Sequence, residues 1–230
     1  GWLMYHGSMR VGRNMIEKAG GTPGGKGQAQ VKRVIAGMGG KNATIVDDDA
    51  GLAEAVLQII GAAFGFQGQK CSATSRVIVL DAIYDRFIER LVKGAQDIKI
   101  GPSEDPSNFM GPVADASLAK GIMEYVAIAE QEGNVLVKRM DYPIEGAYVP
   151  LTIVDGIKPE HRLAQEEVFG PVLAVMRAKD FDEALALANG TRFALTGAVF
   201  SRSPQHLAKA SRAFPVGTLY LNQASTAAIV

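Results

Sequence analysis

The stretch Gly65-Phe66-Gln67-Gly68-Gln69-Lys70-Cys71-Ser72-Ala73-Thr74-Ser75-Arg76 holds the only cysteine of the 230 residues. A thiol becomes nucleophilic when a cation, a helix start or backbone N–H groups favour its thiolate, and when the chain leaves room beside it. Gly65 and Gly68 permit tight turns, Lys70 sets a positive charge next to the sulfur, and Ser72, Thr74 and Ser75 add small hydroxyls. A lone cysteine is more often an inert buried hydrophobe, so the segments on either side decide its meaning. Upstream, Leu52, Val56, Ile59, Ile60 and Ala63 form one apolar stripe at helical spacing, and Asp48 or Asp49 is expected to cap that helix. Downstream, Arg76 to Leu80 is a β-branched run suited to a buried sheet.

This alternation continues along the chain. Strands are predicted at Leu3 to His6, Val31 to Ala36, Asn42 to Asp47, Asn134 to Arg139, Tyr148 to Val154, Pro171 to Met176, Thr196 to Phe200 and Gly217 to Asn222. Helices are predicted at Val11 to Ala19, around Ile83 to Val92, from Asp115 or Ser117 to near Gly133, at Phe181 to Asn189, and from Ser203 to Phe214. Gly20 to Gly27 reads as a glycine loop. The expected class is therefore α/β, a sheet with helices on both faces.

Composition narrows the function classes. A chain of this length with 47% hydrophobic residues can bury a sizeable core. Twenty-four basic residues balance twenty-four acidic ones without a basic cluster, which argues against nucleic acid as a partner. No run is long enough to cross a membrane, and one cysteine permits no intrachain disulfide, so a cytoplasmic setting is expected. His6, His161 and His206 are scattered without ligand spacing, and no metal is expected.

The cysteine stretch, in its form Phe-Gly-Phe-x-Gly-Gln-Lys-Cys-Ser-Ala, resembles the nucleophile segment of the aldehyde dehydrogenase superfamily, in particular its glutamate-semialdehyde (1-pyrroline-5-carboxylate) branch. Met38-Gly39-Gly40-Lys41-Asn42, Glu166-Glu167-Val168-Phe169-Gly170-Pro171-Val172 and Gly217-Thr218-Leu219-Tyr220-Leu221-Asn222 stand in that family's order. The resemblance implies a catalytic-domain sheet over residues 41–230 and, over residues 1–40, a remnant of a Rossmann-like cofactor domain. It implies Cys71 as nucleophile toward a small aldehyde, with NAD, or NADP, as hydride acceptor. Gly7, Ser8 and Gly12 match a segment bordering the cofactor, as do Glu167 at the nicotinamide ribose and Phe169 beside it. Ser72 matches a position that grips the substrate carboxylate, and Asn222 one near the substrate pocket. A homo-oligomer is also implied.

Three departures qualify that expectation. Gly37 stands where the family has the glutamate that activates water for thioester hydrolysis, and glycine cannot accept a proton. Gln223 and Ala227 stand where the branch commonly shows arginine and glycine. The chain also reads as the catalytic half of a longer enzyme, weak or inactive and a doubtful binder of NAD alone. The alternative is a non-catalytic, truncated paralogue that serves as a protein-binding module.

Overall fold

The structure, a computed structural model, describes residues 1–21, 32–143 and 145–227. It divides into two compact units, Gly1–Gly39 and Gly40–Val230.

In the first unit, strand β1 (Trp2–Gly7), helix α1 (Met9–Gly21) and strand β2 (Arg33–Met38) follow one another, and the strands pair in parallel from Trp2 with Arg33 to Gly7 with Met38. Parallel neighbours need a crossover, and α1 lies within it. The helix runs through Gly20 and Gly21 rather than ending at Ala19. The rest of the loop expected up to Gly27 lies outside the described residues.

The second unit is built on a seven-stranded sheet in the order β5-β6-β7-β4-β3-β8-β9. Its strands are β3 (Asn42–Val46), β4 (Thr74–Leu80), β5 (Asn134–Arg139), β6 (Leu151–Asp155), β7 (Val172–Ala178), β8 (Thr196–Phe200) and β9 (Thr218–Leu221). All neighbours are parallel except β5 and β6. Helices α2 (Leu52–Phe64), α3 (Tyr84–Gln96), α4 (Ala116–Glu132), α5 (Arg162–Gln165), α6 (Phe181–Asn189) and α7 (Pro204–Ala213) complete it.

Helices on both faces explain why the central strands read as unbroken apolar runs. Ile45, Ile78, Ala174 and Val199 belong to one core with residues of α4, α6 and α7. Their chain neighbours Val46, Val77, Val175 and Phe200 belong to a second core with residues of α2 and α3. The period of two delivers successive side chains to opposite faces, and here both faces are dry.

The helix starts correct part of the sequence reading. Asp115 caps α4, accepting from Leu118 N at 2.8 Å, and Ser203 caps α7, accepting from His206 N at 3.2 Å. Neither Asp48 nor Asp49 caps α2. That helix begins after Gly51 with no side-chain cap. Asp49 Oδ1 instead accepts from Arg202 N at 2.8 Å, and fully buried Asp47 pairs with Ser201 Oγ and His206 Nδ1, each at 2.6 Å. Asp49 is drawn to the Ser201-Arg202 segment that follows β8, and buried Asp47 must find donors there and on α7. Strand β6 starts at Leu151 rather than Tyr148, just after Pro150, which has no N–H to give a ladder. The four-residue α5 was not anticipated; it is too short to show periodicity.

Candidate functional site

Helix α2 runs into a single tight turn, Gly65–Gly68, in which Phe66 and Gln67 adopt left-handed φ of 54° and 57°. Such conformations cost a non-glycine residue about 1 kcal/mol or more and persist only where the surroundings impose them. Gly68 follows at φ 66°, where an added Cβ would lie 2.5 Å from Gly170 O and 2.9 Å from Ala63 O. Only glycine lets the turn approach the Phe169-Gly170 segment this closely. Cys71 is half-buried beyond the turn, just ahead of β4, and Lys70 is exposed.

Carbonyls around the cysteine are each held. Asn42 Nδ2 donates to Cys71 O and to Ala73 O, both at 2.8 Å, while its Oδ1 accepts from Thr196 N at 3.0 Å. Ser225 Oγ donates to Ser72 O at 2.9 Å, and Thr196 Oγ1 reaches the same oxygen at 3.4 Å. Ala73 N donates to Lys70 O at 3.1 Å. The Asn42 amide can lie against Cys71 O because residue 40 has no side chain: a Cβ there would meet Cys71 O and Asn42 Oδ1 at 2.6 Å each.

Glu167 is half-buried beside this assembly, and its Oε1 accepts from Gly40 N at 3.1 Å. Burial pushes its carboxyl above the ordinary range, against the opposing pull of the Gly40 bond and of Lys41. Its neighbour Glu166 behaves oppositely: Arg162 and Tyr125 bond it directly and hold its carboxyl down at about 2. The acidic pair is thus split, one carboxylate anchoring the chain and the other left near the cysteine turn. Phe169 is partly exposed and has a left-handed φ of 57°. A small recess is lined by Gly40, Lys70, Thr74, Glu167 and Phe169, among others.

Two buried cations lie behind the site. Arg76, 2% exposed, donates to Lys41 O through Nε and Nη2 at 3.1 and 2.9 Å, and to Leu187 O and Ala188 O at 2.8 Å each. Lys41 is equally buried, and among the described residues its Nζ has no hydrogen-bond or ion-pair partner. Desolvation first, then the Arg76 charge, lower its amine to about 7, against the attraction of Glu167, Glu166 and Glu132. Between pH 7 and 10.5 the unfolded chain therefore holds a proton on Lys41 that the folded chain lacks, so this group makes stability rise with pH across that window. Below pH 7 both states carry the proton, and the cost of burying an ammonium is fully present. Lys41→Met should flatten the rise by up to a few kcal/mol. Urea midpoints of the two proteins at pH 6.5 and 9.5 check this, and parallel pH profiles would refute it.

In the first unit, Ser8 Oγ accepts from Val11 N at 3.4 Å and Ser8 O from Gly12 N at 3.0 Å, so Ser8 opens α1. A Cβ at Gly7 would overlap the Tyr5 hydroxyl, and one at Gly12 would lie 2.8 Å from Met38 Sδ, so the glycine lets α1 sit directly on β2. Gly37 lies in β2 opposite His6, and a Cβ there would lie 2.8 Å from His6 Nδ1. In the second unit, the Ser72 hydroxyl has no partner among the described residues. Asn222 spends its amide on both backbone groups of Ser201, at 3.0 Å each. The residue of that segment that does bind the cysteine turn is Ser225.

These elements, with the sequence profile of the aldehyde dehydrogenase family matching residues 2–230, decide the affiliation. The chain belongs to the aldehyde dehydrogenase family. It is 44% identical over 229 residues to the 1-pyrroline-5-carboxylate dehydrogenase of Anoxybacillus flavithermus, covering 100% of this chain and 44% of the relative. Among solved structures, 1-pyrroline-5-carboxylate dehydrogenase from Thermus with bound NAD superposes with a TM-score of 0.95 at 40% identity, covering 100% of this chain and 44% of that one. Proline utilization A from Bdellovibrio bacteriovorus, inactivated by N-propargylglycine, gives 0.97 at 48%, covering 100% of this chain and 24% of that one. The chain thus spans less than half the length of these aldehyde dehydrogenase relatives. No described helix is long and apolar enough to cross a membrane.

Asn42, Thr196, Ser225 and Lys41 escaped sequence reasoning as parts of the site. Asn42 and Lys41 lay inside a quoted motif but carried no chemical signal of their own. Thr196 and Ser225 stand 124 and 153 residues from Ser72, and nothing local announces them.

Proposed function

We propose that this chain carries the cysteine-bearing part of an NAD-linked dehydrogenase that oxidises glutamate semialdehyde, or an aldehyde like it, to the carboxylate. The observation that carries this reading is the fixed turn around half-buried Cys71 in a member of the aldehyde dehydrogenase family. The Cys71 thiolate adds to the aldehyde carbon, forming a C–S bond as the carbonyl π pair moves onto oxygen. The backbone N–H of Cys71 would supply one donor to that oxyanion. NAD, when bound, supplies the acceptor for the hydride that leaves this carbon. Water then breaks the C–S bond of the thioester, returning the thiolate and releasing the acid.

The residues present fit such a cofactor. In the unit Gly1–Gly39, which we read as the end of a cofactor domain, a glycine turn leads into a helix start at Ser8, where free N–H groups suit a phosphate. In the unit Gly40–Val230, read as the catalytic domain, Glu167 has one oxygen engaged by Gly40 and, among the described residues, no hydrogen-bond partner on the other, as a ribose-hydroxyl acceptor requires. Glu167 and Phe169 would hold the nicotinamide ribose end, Gly7, Ser8 and Gly12 the phosphates, and Ser72 and Asn222 the substrate side. NADP is the variant cofactor. A homo-oligomer working in the cytoplasm fits the family and the single unpaired thiol.

The test is covalent and independent of turnover. Incubation with iodoacetamide should label Cys71, with loss of iodide, and leave Cys71→Ser unlabelled by peptide mass spectrometry. A Cys71 no more reactive than free cysteine would favour the protein-binding alternative. That alternative has one observation behind it, the glycine at position 37.

A further inference from the structure

Four successive carbonyls, from Lys70 to Ala73, are engaged within the unit Gly40–Val230, three of them by buried side chains from other elements. Direction can be assigned along one arm of this arrangement. Thr44 Oγ1 lies 3.1 Å from Thr74 Oγ1, Thr74 Oγ1 lies 2.8 Å from Ser225 Oγ, and Ser225 Oγ lies 2.9 Å from Ser72 O. A carbonyl only accepts and each hydroxyl has one proton, so Ser225 donates to Ser72, Thr74 donates to Ser225, and Thr44 donates to Thr74. All three hydroxyl residues are buried, 2% exposed or less, so the chain is shielded from competing water and polarises toward its end.

The other arm is Asn42, 3% exposed, with both amide hydrogens and its oxygen engaged. Every peptide here is trans, so each N–H points opposite to the carbonyl of its own peptide unit. Holding Lys70 O sets the direction of Cys71 N–H, and holding Cys71 O sets that of Ser72 N–H. Among the described residues neither N–H has an acceptor. Two unspent donors therefore flank the thiol, in directions that the protein has fixed before any ligand arrives.

We infer that Asn42 and Ser225 are positioning residues for the nucleophile, which hold the Lys70–Ala73 turn so that its free N–H groups favour the Cys71 thiolate. This rests on the reading of Cys71 as the nucleophile. Neither residue touches the reacting atoms; both act through the backbone of the turn.

The experiment follows iodoacetamide alkylation of Cys71 in the 230-residue chain from pH 5 to 9.5, alongside thermal unfolding. Asn42→Ala should slow alkylation at pH 7 about tenfold and change the pH profile of the rate, as the two free N–H groups lose their fixed directions. Ser225→Ala, which removes one bond and leaves Asn42 in place, should slow it about threefold. It keeps the question open to refutation if Asn42→Ala does not fold. Ser203→Ala, which loses only the α7 cap, should lower the unfolding temperature and leave rate and pH profile alone. Asn42→Ala and Ser225→Ala proteins that melt earlier yet alkylate with the parent rate and pH profile would overturn the inference and leave the nucleophile intact. A parent Cys71 that reacts no faster than glutathione would overturn the nucleophile reading, and the inference with it.

Discussion

Arg76→Met should lower the stability of the Gly40–Val230 unit by about 3 kcal/mol or more, seen as a large drop in the urea midpoint without a change in slope. Among the described residues the guanidinium has no carboxylate partner; burial lowers its pKa to about 10, and four bonds to three carbonyls hold it in place. Two of those carbonyls, Leu187 and Ala188, end helix α6, where the last turn lacks internal donors and the helix dipole is negative. Methionine fills the space but donates nothing, leaving Lys41 O and Ala188 O buried without a donor at about 1–3 kcal/mol each. Relief of the buried charge offsets part of this loss. The third carbonyl belongs to Lys41, between Gly40, whose N–H holds Glu167, and Asn42, whose amide holds the cysteine turn. Loss of Arg76 should therefore also slow Cys71 alkylation, which no remote destabilisation would do at a temperature where the protein is folded. A variant within 1 kcal/mol of the parent would show that α6 and Lys41 find other partners.

Those same residues show what the sequence could and could not reveal. The strands were legible because Val77, Ile78 and Val79, or Leu173, Ala174 and Val175, read as apolar runs, as a sheet dry on both faces demands. Cys71 and Glu167 stand out as candidates because the motifs around them are contiguous. In the sequence Arg76 reads only as the start of a strand, since a cation at a strand end is ordinarily solvated. Its role depends on carbonyls more than a hundred residues away. Asp48 and Asp49 looked like helix caps because local chemistry favours them, and Ser201 and Arg202, brought up by β8, decided otherwise for Asp49. Separating the roles of the acidic pair Glu166 and Glu167 needed Arg162 on α5, an element the periodicity did not contain.

Gly37 carries the remaining large effect. On the proposed reading, a fusion that adds a cofactor-binding region from the Thermus relative should show a burst of NADH followed by a low steady rate, because glycine at position 37 offers no carboxylate to activate water. Gly37→Glu should raise the steady rate about a hundredfold and leave the burst largely unchanged. The structure adds a condition to that expectation. A Cβ at position 37 would lie 2.8 Å from His6 Nδ1, on the paired residue of β1, so the imidazole must turn aside before a glutamate fits. His6 is exposed and can rotate, at some cost to the β1–β2 pair. The double variant His6→Ala, Gly37→Glu should therefore match or exceed Gly37→Glu in steady rate and exceed it in stability. His6→Ala alone should leave both phases as they are if position 37 is where the base is lost. A steady rate that falls with His6→Ala would instead give the imidazole the water-activating role, and fast steady turnover with Gly37 and His6→Ala together would remove position 37 from the mechanism.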